Sequence, residues 1–241
     1  MPKAQPHSAR RRDTYAHLTH RPLNCLAMIL PLLVFFHVGT AYYGSRLLAP
    51  RDIDRVLRYF GATTAYLPAV LVVTVLLVQH VAHRDPWKVH PHALAGMVAE
   101  SILWTVPIAA MNRVTGRLLA AAAASEPAEL LPQVLRAVGA GIYEEFLFRL
   151  VLISVAMLIF VDVFGLRKDV VAVCAAIGSA VLFSLYHFAG HPTAAAEFPW
   201  HDFVFRTLAG VYLGALMVTR GFGVAVGAHS FYNIYVAVMR L

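Results

Sequence analysis

Charge is what this chain lacks most. Only 14% of its 241 residues are Asp, Glu, Lys or Arg, against a usual share of roughly 25%. With 59% hydrophobic residues and a mean hydropathy of +0.66, an ordinary soluble domain of this size is excluded. Acidic residues are the scarcer sign, 13 against 20 Lys and Arg, for a net charge of +7. That basic excess does not call for nucleic acid. Arginines at the ends of membrane helices, facing anionic lipid, account for it. Cysteine is nearly absent. Cys25 and Cys174 both fall in apolar runs without metal-ligand spacing, and read as packing residues. Also missing are the period-two alternation of a transmembrane barrel, a phosphate loop and a dinucleotide fingerprint. Ser184 and Ser230 have no evident triad, and Cys174 has no base in its own segment.

Long apolar segments fill the rest. They approach the roughly 20 residues that span a bilayer, at 23–43, 59–81, 93–111, 132–164, 169–188, 203–218 and 222–239. The reading is an all-α, polytopic transmembrane helical bundle of about seven spans by the length rule, or eight if the alanine run within 112–131 inserts. Residues 1–22 read as a mobile, basic cytosolic tail, and 23–241 as one membrane domain. No small-residue cleavage site follows the tail, so the first span is expected to be retained. Residues 44–58, with four arginines and two aspartates, read as an interfacial loop or short amphipathic helix. The basic residues Lys3, Arg10, Arg11, Arg12 and Arg21 favour a cytoplasmic N-terminus, although the arginines of 44–58 then lie on the wrong side. His83, His90 and His92 read as part of a solvated, proline-punctuated loop rather than a metal site, with Asp85 its single carboxylate and no cysteine. Glu100 interrupts the third span as a cavity-lining carboxylate or as a partner for a buried arginine such as Arg206. Gly210 with Gly214, and Gly223 with Gly227, have the spacing that lets helices approach closely.

The polar groups of the later spans carry the chemistry. In GAGIYEEFLFRLVLI, residues 139–153, two glutamates and an arginine lie in an apolar run. Ionised groups at that depth cost about 2.5–3.5 kcal/mol each even on insertion scales, and mark functional sites. Glu145 and Arg149 are four apart on one helix face and suit a buried structural pair. Glu144 points about 100° away, toward a polar cavity where it does chemistry. His187 closes the next span, and His229 and Asn233 share a face of the last. Each needs a polar partner, and sharing one cavity meets that need most cheaply. A glutamate taking a proton from water, a neutral histidine positioning that water, and an Asn N–H stabilising an oxyanion suit hydrolysis. Glu144, His187 and His229 are also a plausible zinc set with an open fourth position.

EEFLFR, residues 144–149, resembles the EExxxR signature of the CAAX-protease and bacteriocin-processing family, the type II CAAX prenyl endopeptidase or Abi family. FSLYH, residues 183–187, is similar to its FxxxH motif, and HSFYN, residues 229–233, to its HxxxN motif. FRTLAGVYLG, residues 205–214, resembles its glycine-bearing penultimate helix. The motifs occur in the family's order, within 131–241. The resemblance implies an intramembrane endopeptidase in which Glu144 activates water. His187, His229 and Asn233 complete the site, and Glu145 and Arg149 support it. It leaves open whether zinc takes part. The implied substrate is a membrane-anchored or lipidated protein or peptide processed near its C-terminus. The implied setting is membrane lipid, in a multi-pass protein of the bacterial inner membrane. Two other classes stand beside this one: a proton- or ion-coupled transporter, and a non-catalytic scaffold or immunity partner whose polar groups only specify packing.

Overall fold

A computed structural model of the chain describes residues 14–44, 66–114, 129–188 and 198–239. The interfacial segment expected at 44–58 and the alanine run lie largely outside them. Among the described residues eight helices follow one another: α1 (Tyr15–His20), α2 (Pro22–Tyr43), α3 (Leu67–His83), α4 (Pro91–Val114), α5 (Leu130–Val163), α6 (Lys168–Tyr186), α7 (Trp200–Arg220) and α8 (Phe222–Val238). Five of these, α2 and α4–α7, are long and apolar enough to cross a membrane, while α3 and α8 are shorter apolar helices of 17 residues. That length is at the lower end of what a bilayer needs.

Local chemistry sets the helix limits. Proline occupies the first turn of α2, where a missing N–H costs nothing. Gly44 closes the same helix at φ +66°, and Gly165 closes α5 at φ +68°, left-handed positions that favour glycine. Gly221, at φ +93°, makes the turn from α7 to α8. A Cβ there would lie 2.2 Å from the Thr19 carbonyl oxygen, so the turn also needs glycine for space.

Helix α8 is the axis of the bundle, packed against α5, α4, α7 and α2. Nine consecutive residues, from Phe222 to Ser230, are buried. A helix apolar on every face is an interior helix. Close approach holds it there, because lipid offers no hydrophobic drive between helices. A Cβ on Gly141 of α5 would meet the Ser230 backbone nitrogen at 2.8 Å, and one on Gly227 would meet Ser101 Cβ of α4 at 2.7 Å. Ser101 and Thr105 donate hydroxyls to the Val224 and Ala228 carbonyls at 3.3 and 3.2 Å, pinning α4 to the same helix. Gly210 also serves close packing, with Ala180 Cα 3.1 Å from its would-be Cβ. Gly214 does not, since a Cβ there meets nothing within 4 Å.

Two expectations change. The end of the stretch read as a mobile tail is helix α1, with Leu18 and Thr19 buried. Asn24 Nδ2 donates to the Leu18 carbonyl at 2.9 Å, and His20 Nε2 to Val218 O at 3.1 Å. Glu100 pairs with Arg220 rather than Arg206, through Nε–H donating to Oε2 at 3.0 Å and a second contact from Nη2 to Oε1. The end of α7 lies beside the interior of α4, while Arg206 sits four helical turns away and pairs with Asp202 at 3.7 Å.

Candidate active site

The EExxxR run straddles a change of helix type. Helix α5 is α-helical from Leu130 to Glu145 and π-helical from Phe146 to Val151, where the Leu152 N–H reaches the Leu147 carbonyl five residues back. π-Turns recur at functional sites because they re-aim side chains. Nothing in the residue types announces this one. Both glutamates stand at the junction.

Glu145 is fully buried, and its Oε1 lies 3.2 Å from Arg149 Nη1. The same oxygen accepts a 2.8 Å bond from His229 Nδ1–H. Arg149 is also buried, its guanidinium 4.3 Å from the centroid of the Phe183 ring. Glu145 thus balances a dry cation and fixes the tautomer of His229. With Nδ1 protonated, the Nε2 lone pair points the other way, to 3.7 Å from Glu144 Oε2.

His187 arrives from the opposite side in the same state. Its Nδ1–H donates to the Phe183 carbonyl at 2.9 Å, and its Nε2 stands 3.7 Å from Glu144 Oε1. Each carboxylate oxygen of Glu144 therefore faces one imidazole lone pair. At 3.7 Å these are not direct hydrogen bonds, and acceptors facing each other across a gap need a donor between them. Water, with two protons and a free lone pair, suits that gap. Glu144 keeps 12% side-chain exposure against 0% for Glu145, so the two neighbours occupy wet and dry surroundings.

Asn233 lies one turn beyond His229 and lines a cavity of about 320 Å3 together with His187, between α5, α6, α7 and α8. The four residues singled out in sequence, Glu144, His187, His229 and Asn233, are thus brought to one region, with Glu145 and Arg149 behind them. Phe183 was not singled out for a role. Its ring lies 4.8 Å from His187 and 6.0 Å from His229, centroid to centroid, beneath the Arg149 guanidinium. Its position four before His187, one helical turn, is the signal that could have found it. Ser184 is engaged elsewhere, its hydroxyl donating to the Phe203 carbonyl at 2.8 Å. Cys25 is buried and Cys174 exposed, both as free thiols.

The donor types of Glu144, His187 and His229 suit zinc. Among the described residues no three His, Cys, Asp or Glu side chains form a group that could hold a metal ion. Each imidazole Nε2 lies 3.7 Å from a different oxygen of Glu144.

Comparison with curated proteins and with solved structures finds no match. A family model described as type II CAAX prenyl endopeptidase Rce1-like matches residues 126–235. That stretch holds both glutamates, both histidines and Asn233, and leaves α1–α4 outside. With five helices fit to cross a bilayer, the chain is an integral membrane protein whose residues 126–235 match the Rce1-like type II CAAX prenyl endopeptidase family model.

Proposed function

We propose that the protein hydrolyses a peptide bond of a membrane-associated polypeptide, with Glu144 as general base. The ionised carboxylate takes a proton from a water lodged between it and the imidazoles. The water oxygen bonds to the scissile carbonyl carbon, whose oxygen becomes an oxyanion. The Asn233 side-chain N–H donates to that oxyanion. Glu144 then returns its proton to the leaving amine nitrogen as the C–N bond breaks, which regenerates the carboxylate. One of the two imidazoles accepts the hydrogen bond of the water's second proton, which aims its lone pair. Glu145 and Arg149 hold His229 in the tautomer this needs. The substrate is a membrane-anchored or lipidated protein or peptide, cut near its C-terminus.

One observation supports this reading above the others: the two oxygens of Glu144 face two Nε2 atoms at 3.7 Å each. A packing role would have brought these groups into direct contact, as Glu145 and His229 are at 2.8 Å. Glu144→Gln keeps the shape and removes the base. The variant should accumulate in the membrane and lose cleavage of a membrane-tethered substrate. Cleavage at the wild-type rate would overturn the proposal.

A further inference from the structure

We propose that Arg136 and Arg206 bind the free C-terminal carboxylate of the polypeptide being cut. The assignment rests on the proteolytic reading above. The cavity of about 320 Å3 beside the site has two kinds of wall. His187 and Asn233 belong to the chemistry, whereas Arg136 on α5 and Arg206 on α7 do not. Residues Ala137, Ala140 and Glu144 fall on one face of α5, at four-, three- and four-residue steps from Gln133. The two alanines leave that face open between Arg136 and the general base. Arg136 precedes Glu144 by eight residues, roughly 12 Å along the axis at 1.5 Å per residue. An extended chain covers that distance in a few residues.

Among the described residues the charges of this cavity do not cancel. Asp202 lies 3.7 Å from Arg206 Nη1 and offsets one cation, at 36% side-chain exposure. Arg136, exposed at its end of the cavity, remains. Arg206 keeps 21% side-chain exposure, and its guanidinium lies over the Phe188 ring at 5.2 Å, which sets its plane. A planar guanidinium fork matches a carboxylate in two parallel bonds. Such a bond is selective, because an amide in its place leaves the donors without a charge to meet. The cavity's link to His187 and Asn233 favours a substrate terminus over a lipid phosphate, which has no reason to reach the catalytic wall.

The test uses the full chain in detergent and dye-labelled apolar peptides, each made as a free acid and as a C-terminal amide. Fluorescence anisotropy gives the affinity of each form. Wild type should prefer the acid by about tenfold or more. Arg136→Gln and Arg206→Gln should each shrink that preference while leaving amide affinity unchanged, and Arg206→Lys should restore part of it. Equal binding of acid and amide to wild type would overturn the proposal. So would a preference that survives in the double Arg136→Gln, Arg206→Gln protein. Affinity shared by both forms and competed away by phosphatidylglycerol would give the arginines to lipid headgroups instead. Glu144→Gln separates the two ideas, since it should lose cleavage and keep the preference. Preference without cleavage of any bound peptide by wild type would remove the proteolytic reading, and with it the assignment to a substrate terminus.

Discussion

Glu145 and Arg149 meet inside the bundle at 0% and 1% side-chain exposure, whereas Glu100 and Arg220 meet at the end of α7 at 20% and 26%. The chemistry of the two pairs is the same, and their surroundings are not. The inner carboxylate balances a cation that has no water, and it also holds the His229 ring by its Nδ1–H. The outer pair ties α4 to α7 and carries the Tyr15 ring of α1, 5.7 Å from the guanidinium carbon. Water can replace either partner of the outer pair. Nothing replaces the partners of the inner one, so the inner pair sets the geometry of the site and the outer pair trims the edge of the fold.

Breaking the inner pair should have the largest effect on stability. Glu145→Ala leaves Arg149 as an unbalanced buried charge, which costs about 3–5 kcal/mol. Thermal unfolding in detergent should show that loss, and a change below about 1 kcal/mol would place the pair in a wetter setting. Overfilling the helix contact behind the site comes next. Gly141→Ala puts a methyl 2.8 Å from the Ser230 backbone nitrogen, and should cost about 1–3 kcal/mol. Gly214→Ala meets no atom within 4 Å, so by helix propensity it should be neutral or stabilising by up to about 1 kcal/mol. Equal melting shifts for the two alanines would contradict the packing described for α5 and α8. Glu100→Gln, at the outer pair, should cost at most about 1 kcal/mol and leave cleavage intact. Chelation should change least of all. Cleavage measured with and without a strong zinc chelator should give the same rate, and loss restored by added zinc would show that the donors converge on a metal.

The apolar segments were legible because the bilayer sets their length. Seven of the described helices fall on the hydrophobic runs, six with ends displaced by at most three residues, while residues 59–65 of the second run lie outside the described residues. The polar residues of the site were legible for a related reason. Glu144, His187, His229 and Asn233 stand out against a background that does not tolerate them without a use. Three features were not legible. The π-turn after Glu145 depends on how α5 fits against α6, where Ser179 donates to the Phe148 carbonyl, and leaves no mark in residue type. The Glu100–Arg220 pair joins residues 120 apart and depends on which helices become neighbours. The docked α1 was hidden by its polar composition, which reads as solvated tail until Gly221 and Val218 supply its contacts.

The most direct test sets Glu144→Gln beside Glu145→Gln, with cleavage of a membrane-tethered substrate and unfolding temperature measured on the same preparations. Glu144→Gln should lose about 10²–10⁴-fold in rate with an unchanged unfolding temperature, and Glu145→Gln should lower the unfolding temperature. Cleavage by Glu144→Gln within tenfold of wild type, or a loss matched by equal loss of folded protein, would contradict the assignment of Glu144 as the base.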